Sequence, residues 1–90
     1  MAVKFSSPYD VIRHPLLKEK TLNLRDNENK LEFIVHMDAD KRDIKAAIEK
    51  MLDVKVLKVN VRVTRNGKRA VVKFAPGYNA SEISIRLGMQ

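Results

Sequence analysis

The chain has 90 residues, with 18 Lys and Arg against 11 Asp and Glu, a formal net charge of +7, and no cysteine. That length allows one domain, residues 1–90, and not two; the missing thiols exclude disulfides and thiolate metal sites. No apolar run approaches the ~20 residues of a membrane span, and the opening MAVKFSSPYD lacks a signal-peptide apolar region, so a cytoplasmic protein without membrane insertion and with an anionic partner is expected.

Met1 to Ser7 reads as a lead-in. Tyr9 to Pro15 reads as extended, because Pro15 biases His14 away from the α region; Val11 and Ile12 give edge cover or a first brief strand. Leu16 to Arg25 (LLKEKTLNLR) has Leu17, Thr21 and Leu24 at helical spacing and predicts a short helix, broken by a polar loop at Asp26 to Asn29. Lys30 to Met37 (KLEFIVHM) alternates as a strand, with Leu31, Phe33 and Val35 on the apolar side and Ile34 making the other side partly covered.

The clearest helix is expected within Asp38 to Leu52. Asp40 suits the N-cap and Asp43 the third helical position, and Ile44, Ala47, Ile48 and Met51 fall on one stripe. Asp53 ends it, and Val54 and Val56 change the period from 3.6 to 2. Lys55 to Phe74 (KVLKVNVRVTRNGKRAVVKF) then reads as a β-hairpin. Leu57, Val59, Val61 and Val63 are expected on one side of the first arm, with Lys58, Asn60, Arg62 and Thr64 on the other. Arg65-Asn66-Gly67-Lys68 turns the chain, because Asn and Gly tolerate positive φ. The return arm sets Ala70, Val72 and Phe74 against Arg69, Val71 and Lys73. After a turn at Ala75 to Tyr78, Asn79 caps a last short helix whose apolar surface comes from Ile83, Ile85 and Leu87, with Gly88 as its stop. The fold class is α+β: an antiparallel sheet of three to four strands packed with helices, related to the ferredoxin-like α/β plait and open to a three-layer arrangement.

Catalysis finds no support. There is no nucleophile–base pair, no cofactor loop and no small-molecule site to assemble. His14 and His36 are too far apart to be a metal-spaced pair, and Asp38, Asp40 and Asp43 are explained by helix capping. The basic residues are better placed. Lys58, Arg62, Arg65, Lys68, Arg69 and Lys73 share one hairpin that holds no acid from Lys55 to Ala75, whereas a merely solubilising surface mixes both signs. Asn60 and Asn66 sit among them. Lys41, Arg42 and Lys45 occupy the first turns of the main helix, where cations oppose the helix dipole. No aromatic falls on the polar strand face, so recognition by phosphate and shape is expected, rather than base stacking.

Several runs resemble one family. Arg13 to Thr21 (RHPLLKEKT) is similar to its pattern of an Arg, a Pro, then Glu-Lys-Ser/Thr; KLEFIV at Lys30 to Val35 follows at the family spacing. Lys41 to Glu49 (KRDIKAAIE) resembles its Lys-x-x-Ile-Lys-x-Ala-x-Glu helix. Asp53 to Asn60 (DVKVLKVN) resembles its Val-x-Val-x-x-Val-Asn strand, and Ile83 to Gly88 (ISIRLG) its tail. On these motifs the chain resembles the universal large-subunit ribosomal protein twenty-three family. The resemblance implies a structural protein that binds large-subunit ribosomal RNA near the polypeptide exit tunnel, beside large-subunit ribosomal protein twenty-nine. It also implies a docking surface for signal recognition particle and the translocon, to which Glu19 belongs. RNA contact is then expected from the hairpin, from the start of the main helix, and from Arg13, His14 and Lys20. The short hairpin connection and the lack of a basic N-terminal extension resemble the archaeal type, for which trigger factor is not an expected partner. The alternative is a free-standing basic RNA- or DNA-binding module with no ribosomal role.

Overall fold

A computed structural model describes residues 5, 7–16, 25, 27–65 and 67–87. Its elements run α1 (Pro8–Val11), β1 (Ile12–Leu16), β2 (Lys30–Val35), α2 (Lys41–Leu52), β3 (Val56–Thr64), β4 (Gly67–Phe74) and α3 (Ala80–Arg86). The strands form one antiparallel sheet in the order β1-β2-β4-β3. The architecture is α+β, a four-stranded sheet packed with helices.

The inner pair, β2 and β4, keeps unbroken register from Lys30–Lys73 to Val35–Lys68. Leu31, Phe33 and Val35 on β2 and Ala70, Val72 and Phe74 on β4 are therefore brought to one face, where all six are buried. α2 covers that face with Ile44, Ala47, Ile48 and Leu52, and α3 adds Ala80 and Ile83 to the same apolar cluster. α2 starts in a reciprocal capping box. Asp43 N donates to Asp40 Oδ1 at 2.9 Å and Asp40 N to Asp43 Oδ2 at 3.1 Å. It ends at Asp53, which is left-handed at φ 53°. Arg86 Nη2 donates to the Leu52 carbonyl at 2.9 Å, satisfying one of the acceptors that a helix end leaves open.

Several expectations need correction. Tyr9, Asp10 and Val11, expected to be extended, belong to a helical turn (Pro8–Val11) capped by Ser7, and the first strand is a full edge strand; Pro15 fits it because an edge leaves one row of backbone groups unpaired. Leu16 closes that strand instead of opening a helix, and residues 17–24 of the expected helix lie outside the described residues. Asn27 and Glu28 are helical, not loop, and the chain turns at Asn29, at φ 58°. In β3 the plain alternation fails at its start. Val56 pairs with Phe74 and Lys58 with Lys73, so Leu57 is an inserted bulge residue. Val56 and Val59 are buried, while Leu57 is 58% exposed. In α3 the inward stripe is Ala80, Ile83, Ser84 and Leu87, and Ile85 faces out at 68% exposure. Gly88, the expected stop, lies outside the described residues.

Asn29 fastens one end of the sheet. Its Nδ2 donates to the carbonyls of Phe74 (3.3 Å) and Tyr78 (2.8 Å), and its Oδ1 accepts from Ala80 N at 2.7 Å. Its backbone carbonyl also accepts from Phe74 N. One side chain thus ties the start of β2 to the end of β4 and the start of α3.

Candidate nucleic-acid interface

Registered pairing sorts the polar residues of the opposite sheet face into rows. One row is Lys30–Lys73–Lys58, across β2, β4 and β3. The next is Leu16–Glu32–Val71–Asn60. The third is His14–Ile34–Arg69–Arg62. Strands lie ~4.8 Å apart, so each row sets its members side by side, and Lys30 to Lys58 spans about 10 Å at the backbone. Like charges directly opposite one another destabilise a sheet. Lys30 is compensated within the chain, its Nζ donating to Glu28 Oε1 at 3.1 Å; the Lys73–Lys58 and Arg69–Arg62 neighbours do not serve the fold, and an anionic partner would relieve both. The face grades from half-buried at Lys30, Arg69 and Lys73 to exposed at Lys58, Asn60 and Arg62. Glu32, its single acid among the described residues, is 7% exposed at the centre of the lattice. Arg69 Nε is buried and has no hydrogen-bond partner.

The other expected residues gather at the hairpin-tip end. Thr64 pairs with Gly67, so the strands are joined one residue earlier than an Asn-Gly centred turn would place it, and Gly67, at φ 131°, opens β4. Arg65 is exposed at the tip. Lys68 is spent differently from the expectation. Its Nζ donates to the Ala39 carbonyl at 2.5 Å and the Met37 carbonyl at 3.4 Å, which fastens the tip to the turn before α2. That contact brings the exposed Lys41 and Arg42 to the same end, with Lys45 one turn further along α2. Arg13 and His14 are exposed on β1 and reach this end as well. Lys58 and Lys73 lie at the opposite end of the hairpin. Lys20, Asn66 and Glu19 lie outside the described residues.

Sequence reasoning missed Lys30, whose part in the lysine row shows only once β2 is registered beside β4. It also missed Tyr9 and Met37, exposed at 71% and 51% beside Arg13. Among the described residues no group of His, Asp or Glu could hold a metal ion, and no helix is long and apolar enough to cross a membrane.

Comparison with known proteins gives this arrangement a family. Residues 10–82 match the model of the family described as ribosomal protein L23. The large ribosomal subunit protein uL23 of Thermoplasma acidophilum is 44% identical over 80 residues, which cover 89% of this chain and 95% of that protein. With the match spanning every described strand and the whole of α2, the chain belongs to the ribosomal protein L23 family, in its archaeal type.

Proposed function

We propose that this chain binds large-subunit ribosomal RNA near the polypeptide exit tunnel of the cytoplasmic ribosome and helps dock factors that meet nascent chains. Family membership makes it a structural ribosomal protein. The observation that carries the RNA reading is the set of like charges Lys73–Lys58 and Arg69–Arg62, paired across strands at a cost to the free protein. Each phosphate neutralised by such a residue releases condensed counterions, so binding by this face is steeply salt-dependent. Lys41, Arg42, Lys45, Arg65, Arg13 and His14 extend the contact around the tip, and Asn60 offers a neutral donor and acceptor within it. Large-subunit ribosomal protein twenty-nine is the neighbour, and signal recognition particle and the translocon are the docked factors, with Glu19 on the docking surface.

Two measurements test this reading. Arg62→Glu with Lys73→Glu weakens binding to a large-subunit RNA transcript and lowers the slope of log K against log salt by about 2, one for each phosphate that is no longer neutralised. An unchanged slope removes the face as the contact. Glu19→Ala leaves co-sedimentation with salt-washed large subunits intact and reduces capture of signal recognition particle; a subunit lacking the variant protein refutes the docking role. Elution of the wild-type chain at moderate salt would mark a free-standing binding module instead.

A further inference from the structure

At the hairpin-tip end, where β1 begins, β2 ends and β4 begins, the surface folds into a cleft of about 720 Å³. Tyr9, Arg13, His14, Ile34, Met37 and Gly67 line it. The volume lies within the ~300–1,000 Å³ of small-ligand sites. Three features describe what it would accept.

The first is an uncovered aromatic. Tyr9 is 71% exposed and Met37 51%, two of the five large apolar side chains left exposed among the described residues, and both border this cleft. The second is charge. Arg13 lines the cleft, Lys68 follows Gly67 in sequence and Arg65 stands two positions before it, and no lining residue is acidic. The third is backbone geometry. Strand neighbours ordinarily point to opposite faces, yet Arg13 and His14 are both exposed and both line the cleft. The register shift between Ile12 and His14 accounts for it, because a bulge re-aims one of two consecutive side chains. His14 Nδ1 lies 3.3 Å from the Pro15 carbonyl, so the ring sits against the strand at the edge of the cleft.

We propose that this cleft receives a single unstacked nucleotide of the bound RNA, its base laid on the Tyr9 ring and its phosphate held by Arg13. Unpaired bases offer a flat π face that an aromatic side chain matches whatever the base, while an arginine supplies charge to the backbone beside it. Ile34 and Met37 give the base an apolar floor and rim, and His14 borders it. The proposal rests on the RNA-binding reading above, and it adds a stacking contact to an interface otherwise built on phosphate and shape.

A salt series separates the two. Affinity of the full chain for a large-subunit RNA transcript is measured for the wild type, Tyr9→Ala, Tyr9→Phe and the Arg62→Glu, Lys73→Glu double variant. A stacking contact carries no charge. Tyr9→Ala is therefore expected to bind roughly five- to hundredfold more weakly at every salt concentration with the slope unchanged, and Tyr9→Phe to restore the affinity. In parallel, adenosine monophosphate added to the free chain shifts the Tyr9 ring resonances, while ribose 5-phosphate does not. Wild-type affinity in Tyr9→Ala, alongside weakened binding by the double variant, overturns the cleft and leaves the interface standing. Equal shifts from ribose 5-phosphate overturn it as well, because the site then takes phosphate alone. A wild-type chain that binds no transcript refutes both.

Discussion

The inner and outer strands of this sheet obey different rules. β2 and β4 pair without interruption; β2 alternates between buried and half-covered residues apart from the buried Glu32, and β4 does so from Arg69 onward. The two edge strands each carry a register shift, at Ile12/His14 in β1 and at Val56/Lys58 in β3. In the centre, a slip of one residue would turn Phe33 or Val72 away from α2. At an edge, one inserted residue costs a single backbone pair and re-aims a side chain. The core is therefore specified in the middle, and the margins can re-aim a side chain without disturbing it.

Deletions test that division most severely. Removing Ile34 from β2 moves every residue on one side of the cut to the wrong face, so the cooperative urea transition is expected to vanish. Next in size is Asn29→Ala, which leaves Ala80 N and the Phe74 and Tyr78 carbonyls without their partner and forces alanine to φ 58°. A destabilisation of about 2–3 kcal/mol is expected in urea unfolding. Asn29→Gly should be milder, because glycine adopts that backbone freely.

Removing Leu57 from β3 is the matched contrast to the Ile34 deletion. The pairs Val56–Phe74, Lys58–Lys73 and Val59–Val72 then become consecutive with their facing unchanged, and the stability is expected to move by no more than about 1 kcal/mol. A collapse of the fold there would show that the bulge itself is required. The smallest effect has the opposite sign. Lys73→Glu sits between Lys30 and Lys58 and is expected to stabilise the free protein by about 0.2–1 kcal/mol while weakening RNA binding. A single variant that is more stable and binds less separates function from folding on this face.

The same division governs what can be read from the residues alone. α2 is legible in most respects, including Ile44, Ala47 and Ile48 of its stripe, its cap at Asp40 and its end at Asp53, since each depends on neighbours within a few positions; Leu52 is the fourth buried member in place of the expected Met51, and Asp43 also returns a bond to the cap. The facing of β2 and β4 is legible for the same reason. Leu57 is not, because an inserted residue leaves no local mark; only the pairing with β4 reveals it. Lys68 reads as a free cation in sequence because its acceptors, the Met37 and Ala39 carbonyls, are some thirty residues away. Tyr9 reads as part of an extended segment, since Met37, which borders the same cleft, comes near it only once β1 and β2 have paired. The basic face is visible as a composition, and its like-charged rows only as a register.

Asn29 carries a consequence for the order of events during synthesis. Its three side-chain partners follow it by 45, 49 and 51 positions, so they do not yet exist when it leaves the peptidyl transferase centre. β2 likewise waits for β4, which is made after β3. The first third of the chain therefore emerges without the latch that closes it, and the fold locks only when translation has passed Ala80.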